Sequence, residues 1–279
     1  MAGITTVALL PMADYVDVGE GGQAGADRSG YKGEAEFTLV ALTSAGSTPT
    51  LAVKLQSGDK TNGERYTTVT GSHDVELREG ATTNVLIGAS FTQTNTASVK
   101  SVFLYLKKNG TVTETDLTLT IETDSSGDPD GTALGTATVS TDNVAATYGW
   151  IEFVFTNAVD LTAAGSHWYV LQSDYTASAT NNVAWRASSG LTSGGNQSLE
   201  NGTSWTADAD DSQEFYSHEI NFTDWSGAAF TTATTVAVIE TLKLEIDDAK
   251  SYIRAHTTVT GTSTPGFFAS VIMRANLNE

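Results

Sequence analysis

The sequence contains no cysteine and almost no helix signal, and these two absences limit both its chemistry and its fold. Without cysteine, disulfides, thiolate nucleophiles and sulfur-ligated metals are excluded. Only 4 of the 279 residues are proline. No stretch repeats its apolar residues at the period of an amphipathic helix, and one short helical turn is expected at residues 247–250. Stability therefore has to come from strand pairing, apolar packing or oligomerisation.

Basic residues are also scarce. Lys and Arg total 14 against 33 Asp and Glu, which gives a formal net charge of -19. Such a surface repels phosphate backbones, and no Lys/Arg cluster offsets it locally, so nucleic acid is not an expected partner. The first 20 residues lack a basic segment, and the apolar run at 7–10 is too short for a signal peptide or a membrane span. We expect no membrane partner and production in a cytosol.

Motifs for catalysis or metal binding are missing as well. The 4 histidines are scattered, and no nucleophile elbow or phosphate-binding glycine loop occurs, so neither an enzyme nor a cofactor is expected. Residues 124–131 (DSSGDPDG) resemble a calcium loop only in part, since Ala137 occupies the position that needs a bidentate Glu. A Pro-Asp-Gly turn is the better interpretation. Residues 208–214 (DADDSQE) remain open between a solvated edge and a weak ion site.

Short stretches with a two-residue period are abundant and predict an all-β fold of the sandwich or jelly-roll kind. Residues 51–56 are one such strand, and a polar turn follows them, but the next residues contain no returning strand. The first suitable partner is FTDWSGAAF at 222–230. Separate strands are also predicted at 36–42, 251–260 and 267–275.

This displaced partner predicts a discontinuous domain. Residues 1–60 and 222–279 are expected to form a β-sandwich or jelly-roll-like base domain, with residues 1–20 as an N-terminal arm. Residues 61–221, which hold four of the five tryptophans, are expected to form a second β-sandwich inserted into one hairpin loop. The cost of closing a loop grows only logarithmically with its length, so such an insertion is tolerated when its own ends lie close together.

The two flanking segments carry four echoes of a known family: LAVKLQSGDK, FTDWSGAAF, LEIDDAKSYIRA and TVTGTSTP, in that order. Together they resemble the head decoration, or auxiliary capsid, proteins of tailed bacteriophages. This resemblance implies a homo-oligomer, a trimer, bound to the major capsid protein on the capsid exterior. The N-terminal arm has no partner in its own hairpin, so its apolar residues are the predicted capsid-docking residues: Val7, Leu9, Leu10 and Met12.

The insert carries the echoes VFLYLKKNG, GDPDG, YGWIEFVF and TAAGSHWYVL. It resembles the carbohydrate-binding-module-like β-sandwiches of bacterial surface and secreted proteins. Trp150 and Trp168 lie in strongly apolar strands and are predicted core residues. Trp185 and Trp205 lie among Gly, Ser and Asn, so each either seals one end of the sandwich or binds a glycan by stacking on its sugar rings. They are the candidate glycan-binding residues, and host-surface polysaccharide is the candidate ligand.

These observations favour a structural protein of a tailed-phage virion, made in the host bacterial cytoplasm and placed on the capsid exterior. The main alternative is a host-recognition adhesin of the tail or of a fibre, in which the flanks only attach the insert. A bacterial surface carbohydrate-binding protein is a third possibility, which the missing export signal disfavours. The sequence selects no particular glycan.

Overall fold

The computed structural model describes residues 4–16, 19–22, 26–27, 31–67, 72–77, 85–113, 115–173, 175, 178, 180–189, 197–200, 204–208, 211–234, 237–246 and 249–277. The fold is all-β, as predicted. The strands in chain order are β1 Ile4–Val16, β2 Gly19–Gly22, β3 Ala26–Asp27, β4 Tyr31–Gly58, β5 Lys60–Tyr66, β6 Ser72–Leu77, β7 Leu86–Thr92, β8 Ala97–Asn109, β9 Asp116–Ser125, β10 Asp128–Ser140, β11 Gly149–Leu161, β12 Ser166–Ser173, β13 Asn182–Ser189, β14 Gln197–Glu200, β15 Trp205–Asp208, β16 Asp211–Gln213, β17 Phe215–Ile220, β18 Thr223–Ala229, β19 Val238–Glu245 and β20 Tyr252–Leu277.

Helical structure is confined to isolated turns in the described residues, and one of them is the 3-10 turn Thr141–Asn143, which Ser140 caps through its hydroxyl. No helix in this part of the chain has the length and apolar character needed to cross a membrane. The helical turn predicted at 247–250 lies partly outside the described residues. At its edge, the Ala249 amide donates to the Ile246 carbonyl over 3.0 Å.

The chain divides into two compact units. Unit 1 consists of Met1–Lys60 and Ile220–Glu279, and unit 2 consists of Thr61–Glu219. The sequence predicts these boundaries at 60/61 and 221/222.

Unit 1 is built on one antiparallel sheet of seven strands in the order β1-β20-β4-β18, with β19 also on β4, and β2 and β3 also on β20. The long strands β4 and β20 pair from Gly58 opposite Tyr252 to Tyr31 opposite Leu277. Each replaces two strands that the sequence predicts separately, and register shifts between Thr260 and Phe267 mark where the pairing is interrupted. Alternate side chains of β4 are buried in the core of unit 1.

The predicted pairing of residues 51–56 with the segment around Trp225 is confirmed. Thr223 and Asp224 of β18 lie opposite Ser57 and Gln56 of β4. Further along, the Phe230 amide donates to the Val53 carbonyl over 2.9 Å. The strand that pairs with residues 51–56 therefore follows unit 2 in the sequence.

Unit 2 is a sandwich of two sheets. One has six strands in the order β10-β9-β12-β7-β14-β15, and the other has seven in the order β16-β13-β8-β17-β5, with β11 on β8 and β6 on β13. Their inner faces share one apolar core. In its centre the Tyr169 ring stacks on Phe91 at 4.2 Å and meets Phe215 edge-on at 4.9 Å. Full burial of side chains of this size contributes about 1.5–3 kcal/mol each.

The two ends of unit 2 lie close together. They belong to β5 and β17, which are neighbours in one sheet. The Thr61 hydroxyl donates to the Glu219 carbonyl over 3.3 Å. A Cβ on Gly63 would lie 2.2 Å from the Glu219 side chain, so only glycine fits beside this carboxylate. The insert begins and ends on adjacent strands. Closing the loop of unit 1 that contains it therefore costs little conformational entropy.

Candidate functional site

The outer face of the seven-stranded sheet of unit 2 carries a group of ring side chains. Strand alternation places them there: Leu104 and Leu106 of β8 point into the core and are fully buried, so Phe103 and Tyr105 point outwards. In the neighbouring strand β11, Trp150 lies directly opposite Tyr105. We call this group the aromatic face, and its members are Phe103, Tyr105, Tyr148, Trp150, Tyr216 and His218.

The rings of the aromatic face form a continuous row. Trp150 lies between Tyr105 and Tyr216, with ring centroids 4.8 Å away on each side. On one side the Tyr216 ring stacks on Phe103 at 4.3 Å and 9°. On the other side Tyr105 stacks on Tyr148 at 5.2 Å. Contacts between neighbouring rings hold the row in one arrangement, so a ligand would meet a preorganised surface.

Part of this row is open to solvent. Trp150 is 37% exposed, and Val154, two pleats further along β11, is 51% exposed. Glu152 lies between them on the same face and is also exposed. Because large rings on a protein surface are a feature of binding sites, the aromatic face is the candidate binding surface of unit 2.

Asp74 organises the end of the row at Tyr148. It accepts hydrogen bonds from the Tyr148 hydroxyl over 2.6 Å and from Lys107. Arg186 Nη1 lies 3.6 Å from the same carboxylate. Lys107 Nζ and the Arg186 guanidinium each lie 5.0 Å from the centre of the Tyr148 ring. Ring, carboxylate and two cations thus form one cluster.

The pKa values of this cluster follow from its contacts. Partial burial by itself would raise the pKa of Asp74, but the hydrogen bonds from Lys107 and Tyr148 and the charge of Arg186 outweigh it and hold this pKa below its usual range. Burial, and then the hydrogen bond to Asp74, raise the pKa of Tyr148. At neutral pH the cluster therefore has an ionised carboxylate and a neutral phenol.

The structure excludes the glycan-binding alternative for Trp185 and overturns the prediction for Trp150. Trp185, a candidate glycan-binding residue, is fully buried, and its indole N–H donates to the Glu214 carbonyl over 2.8 Å. Alternation in β13 directs Trp185 into the core with Val183, so its ring is closed to a sugar. Trp150, a predicted core residue, is exposed instead. The sequence indicates this exposure, because the charged residue Glu152 lies two positions from Trp150 and therefore on the same face of β11.

The other two tryptophans of unit 2 differ in outcome. Trp168 is a core residue as predicted, 1% exposed, with its indole N–H donating to Asp124 over 2.9 Å. Trp205 begins β15, opposite Glu200, and is half-buried. The structure places it in the six-stranded sheet, apart from the aromatic face, and its contact with a glycan stays a prediction.

The candidate capsid-docking segment lies in strand β1, which belongs to the sheet of unit 1. In β1, Val7 lies opposite Met273 and Leu10 opposite Val271, so the arm, which has no partner in its own hairpin, pairs with the distant strand β20. Leu9 is 2% exposed in the core of unit 1 and is closed to any partner. The side chains of Val7, Leu10 and Met12 lie outside the described residues.

In the first acidic segment, residues 124–131, carboxylates accept hydrogen bonds from nearby backbone amides. The tight turn lies at Ser126 and Gly127, both with positive φ, just before the predicted Pro-Asp-Gly turn. The Gly127 amide donates to Asp124 over 3.2 Å, and the Thr132 amide donates to Asp130 over 2.8 Å. Hydrogen bonds from the Thr123 hydroxyl and then from the Thr132 amide lower the pKa of Asp130. Among the described residues, no three His, Asp or Glu side chains gather as a metal site.

Comparison with known proteins assigns no family. No family model matches the chain, and no curated protein does. Among solved structures, the chain is similar to the infectious bursal disease virus VP2 subviral particle, with a TM-score of 0.24, 8% identity, and coverage of 99% of this chain and 81% of that chain. The structure of the Gt strain of that virus gives a TM-score of 0.23, 9% identity, and coverage of 99% and 82%. Similarity at this TM-score carries no argument about function.

Proposed function

We propose that this protein is a structural protein of a tailed-phage virion, in which unit 1 docks on the major capsid protein as a homotrimer and unit 2 binds host-surface glycans. The sequence echoes of head decoration proteins all lie in unit 1. Unit 1 contains both chain ends, so unit 2 is an addition within one of its loops. Many copies with a net charge of -19 would also keep particles apart in solution.

The aromatic face is the single observation that supports glycan binding. Sugar rings present apolar C–H faces that pack on aromatic rings, and hydroxyls that bond to carboxylates, amides and phenols. The row supplies the rings, and among them Trp150 is a large exposed one. Asp74, Lys107 and Tyr148 supply polar groups at one end of it.

Glycan binding is tested by titrating the protein with envelope polysaccharides of the host while following tryptophan fluorescence. We expect Trp150→Ala to weaken binding by about tenfold or more, because it removes the exposed ring at the centre of the row. The matched control is Leu134→Ala, which truncates a similarly exposed apolar side chain (44%) on β10 of the other sheet. Equal binding by wild type and Trp150→Ala would exclude the aromatic face as the glycan site.

The capsid role is tested by counting copies of the protein in purified virions by quantitative mass spectrometry. Decoration of the head predicts many copies, in a fixed ratio to the major capsid protein. The alternative function, a tail or fibre adhesin, predicts only a few copies per particle. The aromatic face is compatible with both functions, so the copy number alone separates them.

A further inference from the structure

Resting on the proposed glycan-binding function, we infer that the ligand of the aromatic face is an uncharged polysaccharide, not an acidic one. The inference concerns the chemical class of the sugar that the outer face of this sheet accepts. It follows from how the charges of this face are arranged and paired, and from the charge of the chain around them.

The cations nearest to the row are already occupied. Lys107 donates to Asp74, and Arg186 lies 3.6 Å from the same carboxylate and donates to the Ser72 hydroxyl. The side chains of Lys107 and Arg186 are only 21% and 26% exposed. A carboxylate or phosphate on a sugar would have to displace Asp74 to reach them. Such an exchange gains little, since one anion replaces another.

Elsewhere around the rings, the described charged groups of the outer face are of both signs. Near Tyr216, the charges of Glu152 and Arg65 act on the same phenol with opposite sign. Glu76 extends this face beyond Asp74 in β6 and accepts a hydrogen bond from the Asn109 amide over 3.3 Å. Acidic and basic groups thus alternate around the rings.

The surrounding protein opposes a polyanion. Only 14 basic residues accompany 33 acidic ones along the chain. A polymer with one negative charge on each repeat would approach a molecule of like charge, and the repulsion would act over about one Debye length, roughly 8–10 Å in physiological salt. An uncharged glycan meets no such barrier, and its binding to the rings is independent of ions.

The experiment compares one uncharged and one acidic polysaccharide by affinity electrophoresis and isothermal titration. The uncharged probe is a soluble glucan, the acidic probe is a polyuronate of similar length, and each is measured at low and high NaCl. We expect the glucan to bind at least about tenfold more tightly, with less than about a twofold change between the salt concentrations. Trp150→Ala should weaken this binding by about tenfold or more and Leu134→Ala should retain it, with circular dichroism checking that both variants fold.

Two other outcomes are distinguishable. If the polyuronate binds more tightly, with steep salt dependence and loss in Trp150→Ala, the inference about ligand class is overturned while the proposed glycan site stands. If neither polysaccharide binds, or if Trp150→Ala binds both as the wild type does, the proposed function of the aromatic face fails and the inference fails with it.

Discussion

Single residues of unit 2 show how strand alternation decides between core and surface. Trp150 lies in a strongly apolar stretch and Trp185 among Gly, Ser and Asn, yet Trp150 lies on the outer face and Trp185 in the core. In each strand, all side chains on one face are buried or exposed together. Glu152 shares its face with Trp150, whereas Val183 and Ala187 share theirs with Trp185. A residue's own hydrophobicity is therefore a weaker predictor than the polarity of its i±2 neighbours.

His167 is the residue for which the structure predicts a pH dependence. It is 7% exposed in β12, its ring lies 5.7 Å from that of Phe91, and neither ring nitrogen has a hydrogen-bond partner among the described residues. Burial lowers the pKa of His167. Below the ordinary histidine pKa of about 6.5, the unfolded chain binds a proton that the folded chain does not, so acidification through this range lowers the free energy of unfolding.

We expect His167→Gln to remove this part of the pH dependence, because glutamine does not titrate. The measurement is urea unfolding of wild type and variant between about pH 8 and about pH 5, where an unfolded histidine takes up its proton. The wild type should lose more free energy of unfolding than the variant over this range. Parallel curves for the two proteins would show that His167 titrates equally in both states.

At the scale of elements, side chains from three strands of unit 1 form one network. Arg254 of β20 is 8% exposed, and its Nε donates to Gln56 of β4 over 2.9 Å. The Gln56 amide donates to Asp224 of β18 over 2.8 Å, and Lys54 donates to the other oxygen of Asp224 over 2.9 Å. The Arg254 guanidinium also lies 4.1 Å above the Phe222 ring. These contacts join β20 and β18 through β4.

The sequence predicts this network only in part. From the sequence, Arg254 in mid-strand is expected either to be solvated on an outer face or, if covered, to pair with a nearby acid, Glu245 or Asp247. The observed partner is the amide of Gln56, which is 198 positions away in the chain. No local pattern reveals a contact at this separation, because the register between β4 and β20 sets it.

We expect Gln56→Ala to lower the free energy of unfolding of unit 1 by about 1–3 kcal/mol, because the mostly buried Arg254 loses an acceptor. Urea unfolding is followed by circular dichroism and by tryptophan fluorescence, to which unit 1 contributes through Trp225. The matched control is Lys243→Ala, which removes ion pairs of an exposed lysine with Glu34 and Glu36 and should leave the free energy of unfolding nearly unchanged, because exposed ion pairs are screened by solvent. Equal effects of the two substitutions would contradict a structural role for the network.

At the scale of the whole molecule, the main feature is a domain interrupted by another. In unit 1, a Cβ on Gly58 would lie 2.8 Å from the Asn221 carbonyl oxygen, so the two ends of its gap are in contact. In unit 2, the ends lie on the neighbouring strands β5 and β17. Each unit has its own core. This arrangement predicts that either unit folds without the other.

We expect unit 1 to fold when residues 61–219 are replaced by a Gly/Ser linker of about four residues, because such a linker spans a tight gap. Residues 61–219 alone should fold as well and keep the glycan binding of the full chain. Circular dichroism and limited proteolysis measure folding, and the polysaccharide titration measures binding. Aggregation or a lack of cooperative unfolding in both fragments would show that the units depend on each other.

The sequence by itself determined the all-β fold and the pairing of residues 51–56 with the segment around Trp225. Both depend on local signals, namely two-residue alternation, turn residues and a strand without a nearby partner. For strands that are apolar on both faces, tertiary structure alone decided which face is buried, because such a strand has two equivalent orientations until a sheet packs on one of them. It also decided that β1 pairs with β20, since a long-range register has no local signature.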